Sequence, residues 1–237
     1  ALELTGETEK ALESIGLAIK DGSFNAQGKA ALEFRQSWIY YHAHRYEEAA
    51  ERYVAFLEKY PNVELARQAK FSLSAIYVQI GKIRKGEQIL EKFFAENPDD
   101  VGVNNDLGYL YADQGKNLEK AKTMIEKAVA AEPDNPAYLD SLGWVLFKLG
   151  DAKEGAKWLK KATDQENGDD PTIWDHLGDC HHKLKDVAEA RTAWTTALKL
   201  AEEQPKPDAK LVKQIKDKLE IHKPKDGDAR TESKDEP

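Results

Sequence analysis

The segment DSLGWVLFKLG, residues 140–150, contains the Leu142-Gly143 pair on which the interpretation of the fold depends. The same Leu-Gly pair recurs at residues 107–108 and 177–178, so it appears three times at intervals of 35 residues. Self-similarity at a fixed period of roughly 20–50 residues is the signature of repeat proteins, in which each unit buries its apolar face against the next. The sequence therefore predicts a stack of similar structural units.

Each Leu-Gly pair belongs to a block with the pattern of a helix, a short turn and a second helix. In each second helix a bulky apolar residue is followed three positions later by an alanine; the pairs are Ile125 with Ala128, Leu159 with Ala162, and Trp194 with Ala197. Small residues let neighbouring helices approach closely, and bulky residues fill the space between them. We therefore expect Gly143 to lie at a close helix contact, where a larger side chain would overpack the core.

Two further blocks upstream show a weaker form of the pattern. A serine replaces the glycine, a tyrosine follows three residues later and a proline ends the block; the residues are Ser37, Tyr40 and Pro61 in one block and Ser74, Tyr77 and Pro98 in the other. A proline shortly beyond a helix is an ordinary stop signal. The sequence thus predicts five helical pairs.

The two ends of the chain differ from the repeats. The first segment has the pattern of a second helix with no first helix before it, which indicates that the sequence begins inside a longer array. Leu211, Ile215 and Leu219 recur at four-residue steps, which predicts an amphipathic helix that caps the last repeat. We predict a half-repeat helix and turn at 1–29, five repeats at about 30–63, 67–100, 101–135, 136–170 and 171–204, a capping helix at 205–222 and a disordered charged tail at 223–237.

Composition supports an all-α fold and limits the classes of function. Hydrophobic residues make up 41% of the 237 residues, and the helix-favouring residues Ala, Leu, Glu and Lys are abundant. A net charge of -8 without a basic stripe argues against nucleic acid as a partner. The single cysteine, Cys180, excludes an internal disulfide. The sequence has no apolar run of about 18 residues, so we predict no transmembrane segment.

The blocks resemble tetratricopeptide repeats, in which Leu-Gly and then Tyr occupy the first helix, while Ala, a bulky residue, Ala and Pro occupy or follow the second. The third block carries this pattern as Leu107, Gly108, Tyr111, Ala121, Ile125, Ala128 and Pro133. The resemblance implies a right-handed superhelical α-solenoid of about five repeats. The run that starts at Asn104 also resembles a bacterial, often envelope-associated subset of the family, which favours the periplasm or cell envelope over the cytoplasm.

Members of this family usually bind partners on the concave surface that their first helices line, so the resemblance directs attention to those helices. Positions beside each small residue, and about one turn before and after them, are mostly aromatic in the first four repeats and become acidic in the last; they are Phe34, Trp38, Tyr41, Phe71, Asn105, Tyr109, Asp140, Trp144, Phe147, Asp175, Asp179 and His182. Aromatic side chains are frequent anchors at interfaces. We predict a groove that takes an apolar or aromatic peptide, with Asp140, Asp175 and Asp179 receiving a Lys or Arg of the ligand. The alternative is that several of these aromatics pack against adjacent repeats as core.

One pair of residues has the spacing of metal ligands. His176 and Cys180 are four residues apart and would share one face of a helix. The repeat alignment argues against a metal site, because Cys180 occupies the position of Leu110 and Val145 and is expected in the core. Two ligands on one helix also do not complete a tetrahedral site. Since no phosphate-binding loop or nucleophile motif is present either, we predict no metal, no cofactor and no enzymatic activity.

The sequence therefore predicts a scaffold for protein–protein interaction that binds a protein or peptide, and it leaves the partner's identity and self-association open. Three alternatives remain. The same groove could bind a carbohydrate or another small molecule through its aromatics and carboxylates. The chain could be the non-catalytic repeat region of a larger enzyme or envelope-assembly protein. A metal-dependent enzyme would require His176 and Cys180 to hold a metal.

Overall fold

The computed structural model describes residues 7–21 and 23–223, and every regular element in these residues is an α-helix. Their twelve helices are α1 (Thr8–Lys20), α2 (Ala26–His42), α3 (Tyr46–Lys59), α4 (Leu65–Gln79), α5 (Ile83–Glu96), α6 (Val101–Asp113), α7 (Leu118–Ala131), α8 (Pro136–Lys148), α9 (Ala152–Thr163), α10 (Pro171–Lys183), α11 (Val187–Glu203) and α12 (Ala209–Ile221). The prediction of an all-α chain is confirmed.

The ends of the helices follow local chemistry, as α8 and α9 show. α8 begins with Pro136 at its first position, where a missing N–H costs nothing, and the Asn135 side chain accepts a hydrogen bond from an N–H of the first turn. α8 ends before Gly150, whose φ of +98° lies in the left-handed region that glycine adopts without strain. The Asp151 side chain then accepts a hydrogen bond from the N–H three residues later and caps α9. A short turn of this kind lets the two helices pack side by side.

The described residues fold as two compact units, divided between Leu110 and Tyr111. In the first unit, as far as it is described, the consecutive helices from α1 to α5 pack against one another. The main core of this unit contains Ala30, Ala49, Ala50, Tyr53, Phe56, Ala69, Leu73 and Ile76. A smaller cluster, made of Ala11, Leu12 and Ile15 of α1 with Ile39 of α2, buries the apolar face of α1.

In the second unit each helix from α7 to α12 packs on the next, and α8 also contacts α10. α8 and α10 are therefore neighbouring first helices, and α9 and α11 are the second helices of the same two pairs. The bulky and small residues of the repeat pattern are all buried; they are Ile125, Ala128, Leu159, Ala162, Trp194 and Ala197. Their recurrence along the sequence thus reflects one packing arrangement that each pair repeats.

Two of the recurring glycines lie at close helix contacts. A Cβ atom on Gly143 of α8 would lie 2.6 Å from Leu159 Cγ and 2.9 Å from the Gly155 carbonyl oxygen of α9. A Cβ atom on Gly178 of α10 would lie 2.4 Å from the Trp194 ring of α11. The first helix must carry glycine here because the second helix occupies the space that a side chain would need.

The structure describes only part of the predicted terminal segments. In the segment 1–29, residues 1–6 and 22 lie outside the described residues, and α1 occupies most of the rest. The tail predicted to be disordered, 223–237, lies outside the described residues apart from Lys223. α12 lies in the segment predicted to cap the last repeat, and it packs on α11. None of the helices in the described part of the chain is long and apolar enough to cross a lipid bilayer.

Candidate partner-binding surface

Two of the predicted groove residues of the first unit serve the packing between helices. The Phe34 ring of α2 lies edge-on against Tyr53 and Phe56 of α3, with centroids 5.7 and 5.8 Å apart. The Phe71 ring of α4 stacks on Phe93 of α5, with centroids 4.6 Å apart. Both rings therefore contribute to the interior of their own helical pairs. This agrees with the alternative prediction, in which several of the aromatic residues pack as core.

Trp38 and Tyr41 lie further along α2, and both are half-buried. Trp38 packs against the cluster formed by α1, and the Arg35 guanidinium carbon lies 4.0 Å from its ring centroid. Tyr41 packs beside Tyr46, with ring centroids 5.8 Å apart. Each ring thus combines a packing contact with some surface that remains exposed.

The last two predicted residues of the first unit, Asn105 and Tyr109, lie one turn apart on α6. Asn105 is buried, and its side-chain amide donates a hydrogen bond of 3.1 Å to the Asp106 carboxylate. Tyr109 is half-buried. Trp38, Tyr41 and Tyr109 are therefore the aromatic residues of the first unit that we keep as candidates for contact with a partner.

In the second unit three rings form a continuous row across α8 and α10. The Trp144 ring stacks on Phe147, with centroids 5.0 Å apart and planes at 12°, and on His176, with centroids 4.0 Å apart and planes at 13°. Trp144 is only 8% exposed, whereas Phe147 is half-buried and keeps more of its surface in solvent. We call Phe147, Trp144 and His176 the ring row.

His176 is a member of the ring row but is not among the twelve predicted groove residues. Its Nδ1 atom lies 2.8 Å from Asp140 Oδ1, and both side chains are buried. Burial by itself lowers the pKa of His176, but the Asp140 carboxylate beside the ring raises that pKa above its ordinary value. Asp140 thus has a partner within the chain, in place of the ligand Lys or Arg expected from the sequence. The repeat period is the sequence signal that could have indicated this contact. His176 lies 35 residues after Ser141, so it occupies the equivalent position in the next repeat, and Ser141 is the neighbour of Asp140.

Asp175 and Asp179, the acidic pair of α10, also bind a basic side chain of the chain itself. The Lys218 Nζ atom of α12 lies 2.8 Å from each Asp175 carboxylate oxygen and 2.7 Å from Asp179 Oδ1. The Trp194 indole N–H donates a 3.1 Å hydrogen bond to the same Asp179 oxygen. The acidic pair therefore holds a lysine of α12, in place of the ligand Lys or Arg predicted from the sequence.

His182, the last of the predicted residues, lies near the C-terminal end of α10. Its ring centroid lies 4.1 Å from that of His222, which follows α12, and 5.7 Å from that of Trp194. The three predicted residues of α10 thus all lie beside α12 or the residue after it. The spacing of apolar residues predicted a capping helix here, but it did not show that this helix reaches the acidic pair.

Cys180 is buried inside the second unit. Burial raises the pKa of its thiol to about 12, so the thiolate form that binds metals or attacks electrophiles is scarce at neutral pH. His176, the residue at metal-ligand spacing from it, is hydrogen-bonded to Asp140. Among residues 7–21 and 23–223, no group of three or more His, Cys, Asp or Glu side chains is arranged to hold a metal ion.

A separate open cavity of about 540 Å³ is lined by side chains of α9, α10 and α11. Trp174, Leu177 and His181 of α10 form part of its lining, together with Lys157 and Lys160 of α9. None of the twelve predicted groove residues lines this cavity. It is therefore distinct from the surface made by the ring row and the acidic pair.

Three family models match the sequence. A model described as anaphase-promoting complex, cyclosome, subunit 3 matches residues 114–197. Two tetratricopeptide repeat models match residues 77–145 and 30–62. No match to the sequence is found among curated proteins.

Several solved structures have a similar fold. TTC0263, a thermophilic tetratricopeptide repeat protein of Thermus thermophilus, is 20% identical with a TM-score of 0.65, and the match covers 80% of this chain and 98% of that one. A chain of the APC/C hetero-tetramer Cut9–Hcn1 is 19% identical with a TM-score of 0.71, and the match covers 94% of this chain but only 42% of that one. MamA 41-end of Desulfovibrio magneticus RS-1 is 18% identical with a TM-score of 0.53, with coverage of 75% and 97%.

The recurring Leu-Gly pairs, the packed helical pairs and these matches agree on one kind of repeat. The predicted α-solenoid of helix-turn-helix repeats is confirmed. Proteins built from such repeats are generally non-catalytic, and a role as a protein-interaction scaffold is typical of them. The chain therefore contains tetratricopeptide repeats, which family models match at residues 30–62 and 77–145.

Proposed function

We propose that the chain is a protein-interaction scaffold whose second unit binds an apolar or aromatic peptide on the face of α8 and α10 that carries the ring row. The observation that carries this proposal is the stacking of Phe147, Trp144 and His176 across two neighbouring first helices. Trp144 and His176 are buried, so the stacking holds Phe147, the more exposed ring, in one orientation. A peptide that covers Phe147 therefore orders few protein side chains, and less conformational entropy is lost on binding.

The three rings contribute in different ways. Because Trp144 is only 8% exposed, covering it removes little further apolar area from water, and its main effect is to hold Phe147 and His176 in place. Phe147 retains more exposed surface and is the ring that a partner side chain would cover. The Lys148 ammonium lies 4.8 Å from the Trp144 ring centroid, so its methylene groups can extend the apolar surface.

The carboxylates near the ring row are paired within the chain. Asp140 is paired with His176, and the acidic pair is bound to Lys218. Groups that are already paired add little net attraction for a charged ligand, because a new contact must replace an existing one. This pairing favours an apolar or aromatic peptide over a highly charged one as the partner of the ring row.

The tetratricopeptide repeats support the scaffold part of the proposal. Stacked helical pairs place their first helices in a row, which gives a repeat protein an extended surface for a partner. One of the similar structures is a chain of the Cut9–Hcn1 hetero-tetramer of APC/C, a multiprotein assembly. In this chain the ring row supplies a specific apolar contact on such a surface.

The test compares partner capture from the source organism's extract by wild type, Phe147→Ala and Trp158→Ala. Trp158 is the matched control, because it is a half-buried aromatic residue of the same helical pair but lies on α9. Once circular dichroism shows that both variants are folded, we expect Phe147→Ala to weaken capture of the partner about tenfold or more and Trp158→Ala to leave it unchanged. Equal capture by Phe147→Ala and wild type would move the binding site away from the ring row.

A further inference from the structure

α12 is held on α10 and α11 by contacts of three kinds, and the first is apolar. Ile215 has no exposed surface and lies in a cluster with Ala190 and Trp194 of α11. Leu211 and Leu219, one turn before and one turn after it, pack against the same cluster but are only partly buried. Ile215 is the only buried residue among residues 209–221, so a single aliphatic side chain supplies the deep contact.

The second contact is electrostatic and is made to an ammonium group. Three carboxylate oxygens of Asp175 and Asp179 lie within 2.8 Å of the Lys218 Nζ atom, which has three N–H donors. Burial raises the pKa of Asp175 above its ordinary value even though Lys218 lies beside it. Two neighbouring carboxylates in such surroundings are costly to leave without a cation. A helix that occupies the site therefore has to bring a cationic side chain, as α12 does with Lys218.

The third contact recognises the backbone of a helix end. The Arg191 Nη1 atom donates hydrogen bonds to the carbonyl oxygens of Leu219 at 2.7 Å and His222 at 2.8 Å. The last carbonyl groups of a helix have no partner within the helix, so an arginine placed there stabilises the helix end whatever its side chains are. Arg191 can thus serve another helix equally well.

These contacts hold a helix that contributes little to the core of the repeats. A 13-residue helix in isolation is marginal in water, so α12 depends on this site for its structure. Residues 204–208, which join it to α11, are not helical and include Pro205 and Pro207. Ile215 is the one side chain of α12 that is fully buried, so departure of the helix removes a single deep contact from the cluster around Trp194.

We propose that this site, made of Asp175, Asp179, Arg191 and Trp194, is a receptor for the C-terminal end of a lysine-bearing amphipathic helix, and that α12 is an internal occupant which a partner helix replaces. The proposal goes beyond the proposed function, since it concerns a second surface, made by α10 and α11, and a different class of partner. The partner carries an aliphatic residue three positions before its lysine and another directly after it, as α12 does. Because a short tether gives α12 an effective concentration of about millimolar, a separate helix binds well only when α12 is weakened.

The test uses the full chain and a fluorescein-labelled peptide with the sequence of residues 207–222, PDAKLVKQIKDKLEIH, followed by fluorescence anisotropy. The peptide should bind Lys218→Glu and Ile215→Ser proteins at least about tenfold more tightly than wild type, because their own α12 no longer fills the site. In the peptide, Lys218→Glu should weaken binding to these variants at least about tenfold. The matched charge reversal Lys213→Glu should leave it unchanged, because Lys213 is exposed and pairs with Asp217 of α12 itself.

Trp194 reports whether α12 has left the site, because its indole N–H is hydrogen-bonded to Asp179 beside Lys218. A shifted indole signal in the ¹H–¹⁵N spectrum of the variants, together with failure of the peptide to bind, would overturn the proposal, since a vacated site would not accept a separate helix. Dimers of wild type in size-exclusion chromatography that disappear in Ile215→Ser would also overturn it, because the occupant would then be α12 of a second copy.

Hydrogen exchange on wild type tests the proposal without any substitution, so it still applies if the variants lose helical structure. The amides of residues 212–221 should exchange at least about tenfold faster than the buried amides of α10 and α11. Equal protection of the α12 amides and the buried amides of α10 and α11 would overturn the proposal, since α12 would then leave its site only when the whole chain unfolds. The Phe147→Ala protein separates this proposal from the proposed function. It should bind the labelled peptide as wild type does, whether or not the substitution weakens capture of the partner by the ring row.

Discussion

The Nδ1 atom of His176 lies 2.8 Å from Asp140 Oδ1, although 36 residues separate the two along the chain. The same imidazole stacks on Trp144, so a buried polar contact and a ring contact together join the first helices of two consecutive repeats. Repeat proteins are stabilised by contacts between neighbouring units. The residues that shape the candidate site therefore also hold α8 and α10 together.

Replacing Asp140 by Asn should show how much the contact between Asp140 and His176 stabilises the folded chain, because the loss of stability should depend on pH. The pKa of His176 is raised in the folded chain, so the folded state binds the proton more tightly than the unfolded state does. The resulting stabilisation is fully present below the unfolded pKa of about 6.5 and is lost as pH rises through the folded pKa. In urea unfolding, Asp140→Asn should be less stable than wild type by on the order of 3 kcal/mol at about pH 6, and by less at about pH 8.5. If the difference in the free energy of unfolding between wild type and Asp140→Asn stays constant or grows as pH rises, this account of the pair is wrong.

Gly143→Ala should destabilise the second unit. The added Cβ would lie 2.6 Å from Leu159 Cγ, and we expect a loss of roughly 1–3 kcal/mol in the free energy of unfolding. Gly16→Ala in α1 is the control, because nothing lies within 4 Å of its Cβ position and alanine is the better helix former by up to about 1 kcal/mol. Thermal unfolding should show a lower midpoint for Gly143→Ala only. An unchanged midpoint would mean that α8 and α9 can move apart at little cost.

Much of the fold was predictable because each helical pair must bury the same apolar face. Small and bulky residues then recur at nearly equal intervals, and this recurrence locates the pairs along the chain. Gly143 illustrates this, since its neighbours in the sequence suggested a close helix contact and the nearest atoms of Leu159 and Gly155 provide one. The assignment of each repeat's limits from the sequence stays a prediction.

The candidate site was less predictable, because its contacts join residues distant in sequence. The helical period shows which residues share a first helix, but not which of them turn toward the second helix, as Phe34 and Phe71 do. His176 finds its acidic partner 36 residues away and Lys218 finds one 43 residues away. For Lys218 no local pattern indicates the partner, because the contact depends on how α12 docks after a non-helical linker.

Trp144→Ala and Phe147→Ala should separate stability from binding. Truncating a large buried ring costs about 3–5 kcal/mol, and Trp144 is the more buried of the two. Phe147→Ala should therefore cost less stability in urea unfolding, yet weaken partner capture about tenfold or more. If Trp144→Ala stays as stable as wild type while capture is lost, the tryptophan itself would be the anchor and the assigned roles would be wrong.

Cys180 should resist thiol reagents while the chain is folded. It has no exposed surface, and burial raises its pKa to about 12. Labelling by Ellman's reagent should be at least roughly a hundredfold slower in buffer than in urea, because it requires local opening around α10. Comparable rates in the two solutions would show that this part of the second unit opens readily.

The most direct test of the proposed binding surface is photo-crosslinking from defined positions. A photoreactive benzoylphenylalanine replaces Phe147 in one protein and Trp158 in another, so that the first probe lies on the ring row of α8 and the second on α9. Both proteins are irradiated in the source organism's extract after their helical content has been checked. We expect a partner to be cross-linked from position 147 and not from position 158. Cross-linking from position 158 alone, or equally from both positions, would contradict the claim that the face of α8 and α10 binds the partner.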